Sequence, residues 1–370
     1  MSAPRYNKQD DSNLHHDLQA AARDYLTRHN EHRFANRWMI GKLIGLAALC
    51  LLFHVGSLLA SSTVDFAWRY VGFMFMAMML AVNVMHDASH NAFFKGRCAN
   101  RLLSVAVGIP LGMDADSWRV RHVEHHHAHL NVQGFDLDIE ENGVLRQTPF
   151  QRFRHFMRLQ QYYWPLVAAL TFPCIVWCFD WLDRSGRTPV TARLRHRGVT
   201  GWCLFLLPKL IHLMLALVVP WWALSSTSVG ITTILVCYLV SQMLASLVFV
   251  VLILGAHWAM GTFYQPPESG QFSHGRYRHI FATTVDWVPR PRWLSYWLGE
   301  LNRHLTHHLF PHWNHRHYPV LANIIAKTAA KHGVPYHCLS LADMLHAQQC
   351  FLTAMGKGHT VTTSTTQQRR

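Results

Sequence analysis

The eight cysteines of this chain contain no Cys-x-x-Cys pair. That absence removes zinc knuckles and dithiol redox motifs from consideration. Cys50, Cys174, Cys178, Cys203 and Cys237 fall within apolar stretches. They read as small packing or lipid-facing residues of a reducing compartment, not as disulfide partners. Acidic residues are also scarce, with 20 Asp and Glu against 34 Lys and Arg, for a net charge of +14. No internal repeat at a fixed period is present, which excludes solenoids and propellers. No cleavable signal peptide is apparent, because residues 1–39 are polar and charged and the first apolar run is long enough to remain as a helix.

The rarest feature is charge inside the long apolar runs. Four runs, about Ile40–Ala60, Phe66–Met85, Trp202–Leu224 and Ile231–Trp258, reach the roughly 20 residues that a helix needs to cross about 30 Å of hydrocarbon. They are apolar on all sides, where a soluble helix would carry an amphipathic stripe. The expected fold is an all-α integral membrane protein of about four transmembrane helices. Residues 40–345 form the membrane domain, residues 1–39 a cytoplasmic N-terminal segment, and residues 353–370, rich in Thr, Gln and Gly, a disordered tail.

The loops Ser61–Asp65 and Ser225–Gly230 contain no Lys or Arg. The positive-inside rule then places both termini and the middle segment in the cytoplasm, as in a bacterial inner membrane. Trp164–Trp181, with Pro165 and Pro173, and the shorter Leu102–Met113 are read as interfacial or re-entrant. A single crossing by Trp164–Trp181 would put the chain's histidine clusters on opposite faces. The basic balance is read as topology and contact with anionic lipid, without nucleic acid as a partner. The basic stretch Arg184–Arg197 is the candidate lipid-surface patch.

Three histidine clusters carry the functional argument. They are His86-Asp-Ala-Ser-His90, His122-Val-Glu-His125-His126-His127-Ala-His129 and His304-Leu-Thr-His307-His308. Crowded imidazolium rings repel, and burial disfavours their charge, so clusters beside apolar sequence make sense as neutral metal ligands. Residues three and four apart share a helix face, which joins His86 to His90 and His304 to His307 and His308. The middle cluster has two registers: His122, His125 and His126, or His122, His126 and His127. His257 ends the fourth run at the same depth and is a further candidate. About nine imidazoles exceed the roughly four of one zinc-type site, so two metals are implied, and imidazole suits Zn, Cu, Fe and Ni. Asp87, Glu124, Asp136, Asp138 and Glu300 are candidate partners for the outer ring N–H groups. His312, His315 and His317 are assigned supporting or surface roles.

The residues around the clusters resemble the membrane fatty-acid desaturases, especially bacterial acyl desaturases of the linoleoyl-CoA and front-end type. The resemblance rests on His86–His90, on Trp118-Arg-Val-Arg-His122 through Asn131, and on Leu301-Asn-Arg-His304-Leu-Thr-His307-His308-Leu-Phe-Pro311. It extends over roughly residues 66–340 and includes His315-Arg-His-Tyr-Pro319 and Gly333-Val-Pro-Tyr336. Counting back from Asn131, it selects His122, His126 and His127, with His125 as the alternative to His127, and it makes His257 a ligand. Two features depart from many front-end members: the third box begins with His304 where they carry Gln, and no His-Pro-Gly-Gly motif marks a fused cytochrome b5 domain.

The resemblance implies a cytoplasmic helical cap carrying the boxes, two Fe ions and O₂ as co-substrate. It implies removal of two hydrogens from a fatty acyl chain to give a cis double bond. The acyl chain would arrive on coenzyme A, a carrier protein or a lipid. Electrons would come from a separate ferredoxin, rubredoxin or cytochrome b5. A hydroxylase or epoxidase using the same site is the nearest rival. A membrane metal transporter is remote, because the run interiors offer little beyond Lys209, His212 and Gln242 as polar groups.

Overall fold

The computed structural model describes residues 3–358. Four helices are long and apolar enough to cross a membrane: Arg37–Leu58, Thr63–Ser89, Gly198–Ala223 and Ile231–Met260. Three start a few residues before the apolar runs, and polar caps begin the first two. The Asn36 side chain accepts from the backbone N–H groups of Trp38 and Met39, each at 3.1 Å. Ser62 does the same for Asp65 at 3.2 Å. Such caps satisfy donors that a helix start leaves open.

The second and fourth of these helices are inner, with 78% and 50% of their most apolar windows buried, against 28% and 22% for the first and third. The outer helices leave Leu51, Leu52, Leu207 and Trp222 exposed, an apolar surface suited to lipid. The helices His155–Ala169 and Thr171–Arg184 meet at a 55° bend. They contain the stretch read as interfacial or re-entrant. Leu102–Met113 forms the end of a helix, Arg97–Gly108, and a tight turn, Ile109–Leu111.

A second core lies outside the long helices. The helix Ser12–Arg28 inserts Leu14 and Leu18 among Leu305, Leu309, Tyr318, Leu321 and Ile325. The N-terminal segment is thus packed against the helix Tyr318–Lys331, which follows the third histidine cluster in the chain. The expectation of an all-α fold needs one amendment. Two three-residue strands, β1 (Asp286–Val288) and β2 (Cys338–Ser340), pair in parallel with Trp287 opposite Leu339. They are too short to register as strands in a hydrophobic pattern. The expected disordered tail needs another. The last helix runs from Leu341 to Gly356, with Leu352 and Met355 buried, so the tail's first residues are ordered by packing. Residues 359–370 lie outside those described.

Candidate metal centre

Each cluster sits where a helix departs from α geometry or ends. The second long helix passes through a π turn, Ala81–Met85, just before His86. There Asn83 donates to the Met79 and Trp297 carbonyls, both at 2.8 Å. A π turn inserts one residue into the helix and re-aims the side chains beyond it, which is why such turns collect at functional sites. His86 and His90 come directly after this turn, one helical turn apart, and are both buried.

The middle cluster lies on a π-helix, Val120–His126. The His127 N–H donates to the His122 carbonyl at 3.0 Å, five residues back. In this wider turn the residues four and five along flank the first one. His126 and His127 therefore straddle His122, with ring centroids 5.6 and 4.7 Å from it. His125 points elsewhere, is only partly buried and belongs to no ligand group among the described residues. His129 is likewise outside. The third cluster occupies a short buried helix, His304–Leu309, and His257 lies buried near the end of the fourth long helix.

Together these elements gather nine imidazoles. His86, His90, His122 and His307 form one buried group, and His126, His257, His304 and His308 a second. In each group the ligand atoms lie within 4.8 Å of one another. His127 groups with His307 and His308 and so stands between the two. A further grouping joins His122 and His126 to the partly exposed Asp138.

The ring nitrogens fit metal ions better than they fit one another. His86 Nε2 faces His122 Nε2 at 3.0 Å, and His308 Nε2 faces those of His304 and His257 at 3.1 and 3.3 Å. Two nitrogens bound to one ion at about 2.1 Å, at right or tetrahedral angles, stand roughly 3.0–3.4 Å apart. Both ring nitrogens of His90, Nδ1 of His122 and Nε2 of His126 are buried with no hydrogen-bond partner, a costly state unless an ion is present.

Outer partners fix several rings with Nε2 turned inward. His126 Nδ1 donates to Asp136 at 3.1 Å, and Asp138 lies 3.3 Å away. His257 Nδ1 donates to the Thr283 carbonyl at 3.0 Å. The Tyr318 hydroxyl lies 2.9 Å from His307 Nδ1, whose Nε2 faces His127 at 2.9 Å. Such contacts set tautomer and orientation. Burial, reinforced by neighbouring imidazoles, holds His127, His304, His307 and His308 well below the ordinary histidine range, in the neutral form that binds metal. Burial also acts to lower His126, but Asp136 and Asp138 outweigh it and push the ring up to about 9.

Of the five carboxylates expected to support the rings, Asp136, Asp138 and Asp87 do lie against histidines. The other two do not: Glu124 pairs with Arg119, and Glu300 with Arg303 at 3.0 Å. The sequence offered no sign of Thr283, whose backbone is the acceptor, and showed Tyr318 only as part of the His315–Pro319 stretch, without a role. Asn131 served only as a landmark. It adopts a left-handed backbone (φ 53°), donates from its side chain to the carbonyls of Thr262 and Thr283 at 3.1 and 3.0 Å, and donates its backbone N–H to Asp136 at 2.9 Å.

The profile of the family described as fatty acid desaturase matches residues 65–340, which includes all three clusters and His257. The chain belongs to the fatty acid desaturase family. It is an oxidoreductase, and its long apolar helices make it a membrane protein. Among similar proteins, the desaturase is 29% identical to the sn-1 linoleoyl-lipid 6-desaturase of Synechocystis, over 83% of this chain and 86% of that one. It is 26% identical to the acyl-lipid (8-3)-desaturase of Physcomitrium patens, over 77% of this chain and 61% of the relative. It is 24% identical to the sn-1 linoleoyl-lipid 6-desaturase of Arthrospira platensis, over 69% and 68% of the two chains.

Proposed function

We propose that this desaturase forms a cis double bond in a fatty acyl chain, using O₂ and two iron ions held by the nine clustered histidines. The observation that carries the reading is the pair of buried four-imidazole groups with His127 between them. His86, His90, His122 and His307 would hold one iron, and His126, His257, His304 and His308 the other. Two irons with O₂ supply an oxidant able to act on an unactivated C–H bond, where a general base has nothing to remove. The balance is one –CH₂–CH₂– unit, O₂, two electrons and two protons giving –CH=CH– and two waters. The electrons come from a separate redox protein such as a ferredoxin, rubredoxin or cytochrome b5.

The chain's own part is position and exclusion of water. Asp136 and the Thr283 carbonyl keep a proton on Nδ1 of His126 and His257, and Tyr318 orients the His307 ring. The buried rings keep bulk water from the oxidant. The convergence of the clusters also supports the topology. The second and third clusters meet, which calls for an even number of crossings between them; a re-entrant His155–Arg184 with Gly198–Ala223 and Ile231–Met260 crossing meets that requirement. The absence of Lys and Arg from the two short loops supports a cytoplasmic site with both termini on that side.

The test is fatty-acid analysis by gas chromatography and mass spectrometry, with double-bond localisation, in a bacterial host supplied with a ferredoxin and its reductase. A new unsaturated acid made by the native chain and absent with His307→Ala is expected. A new hydroxy or epoxy acid instead would move the assignment to oxygen insertion.

A further inference from the structure

Beside the third cluster lies a cavity of about 530 Å³. Its floor is the β1–β2 pair, one wall is the helix Tyr318–Lys331, and the other is the loop after β1. Arg290, Arg292 and Arg303 line it, with Asn323, Tyr336 and Ser340 as polar neighbours, and no carboxylate lines it. Three carboxylates border it, each held by a lining residue. Glu300 pairs with Arg303, Asp343 accepts from Ser340 at 2.6 Å, and Asp286 accepts from Tyr336 at 2.8 Å beneath the floor. Arg290 and Arg292 are exposed and make no ion pair among the described residues. Two guanidiniums that line one recess with no ion pair of their own are suited to a phosphate ester, which each can grip through two N–H groups.

The surroundings suit a position at a membrane surface. Trp293, Tyr296 and Trp297 come directly after these arginines and are 62%, 38% and 42% exposed, the pattern of an interfacial aromatic belt. The Lys42 ammonium, one turn into the first long helix, donates to the Tyr296 carbonyl and lies 3.8 Å from its ring centroid. The recess also adjoins the metal-binding helix. Arg303 immediately precedes His304, and Asp286, which receives the Tyr336 hydroxyl, also accepts from Thr306 N and Oγ1 at 3.0 and 2.6 Å.

We propose that this recess, through Arg290 and Arg292, binds the anionic phosphate ester that carries the acyl substrate, a lipid headgroup at the membrane surface being the source its aromatic border favours. The idea rests on the desaturase reading for the acyl chain, but its test is binding and needs no turnover. Isothermal titration of the full chain in a neutral detergent would use dihexanoyl-phosphatidylglycerol, dihexanoyl-phosphatidylcholine and coenzyme A as probes. The phosphatidylglycerol should bind, and both Arg290→Gln/Arg292→Gln and Ala326→Glu should weaken it at least tenfold. Arg23→Gln, exposed on the helix Ser12–Arg28, should change it less than twofold. Coenzyme A binding with the same sensitivity, and no lipid binding, would uphold the recess and assign it to a soluble carrier. Equal binding of phosphatidylcholine, or unchanged affinity in both recess variants, would overturn the proposal whether or not the protein desaturates.

Discussion

Asp87 Oδ2 lies 2.8 Å from His315 Nδ1. It also accepts from the Asn314 side chain at 2.6 Å and from the His315 backbone at 3.2 Å. Asp87 is inside the first cluster and His315 lies just beyond the third. One buried carboxylate therefore ties two ligand-bearing elements far apart in sequence. Asp87 Oδ1 also stands 3.8 Å from His86 Nδ1.

Asp87→Asn keeps the shape but loses the charge that holds these donors. We expect activity to fall about 10–100-fold, the usual cost of losing a partner behind a ligand, while the protein still inserts. His315→Ala should lower activity less and leave it measurable. Product yield and iron per chain check both; full activity in Asp87→Asn would reduce the carboxylate to a packing role.

The π-helix makes a sharp distinction between adjacent histidines. His126→Ala should abolish product and lower bound iron, whereas His125→Ala should keep most of both. Metal content by plasma mass spectrometry beside product analysis decides it. The reverse pattern would make His125 the ligand and rule out the wide turn at His122–His127.

Gly261 is a position where a single methyl group should matter. A Cβ there would overlap the His257 carbonyl and lie 2.6 Å from the Thr283 carbonyl, the acceptor for His257 Nδ1. Both obstacles are backbone and cannot swing away. Gly261→Ala is expected to displace His257 and cut both iron content and product yield at least tenfold. Unchanged iron loading would show that the backbone yields to the methyl group without loss of the site.

The buried pair Lys209–Asp180, at 2.8 Å, joins the third long helix to the bent helix pair. Lys209 also donates to the Gly112 and Val176 carbonyls at 2.6 and 2.8 Å. Lys209→Met strands the carboxylate and should cost roughly 3–5 kcal/mol. Lys209→Met with Asp180→Asn should recover part of that loss. Thermal unfolding in detergent reads both; a double variant no better than the single would mean that the carbonyl contacts dominate.

Much of this was legible in sequence because lipid and metal each impose strong patterns. Four apolar runs with at most one Lys or Arg each mark the long helices, since hydrocarbon tolerates little else. Histidines three and four apart mark the first and third clusters, since α geometry stacks them. The middle cluster was ambiguous on that rule, because its backbone is a π-helix and α spacing does not apply. The supporting partners were less visible. Glu124 and Glu300 are as near the clusters in sequence as Asp87 and Asp136, yet arginines take them.

The sequence by itself determined the long apolar helices, the histidine-rich character of the site and the family, because each depends on local composition and short spacing. Only the tertiary structure decided which imidazoles share a group and that His127 stands between two of them. It also decided that a backbone carbonyl orients His257 and that Asp87 reaches His315. Those relations join residues up to hundreds of positions apart. Their distances are set by how the helices pack and where π turns rotate the chain, which no local pattern encodes.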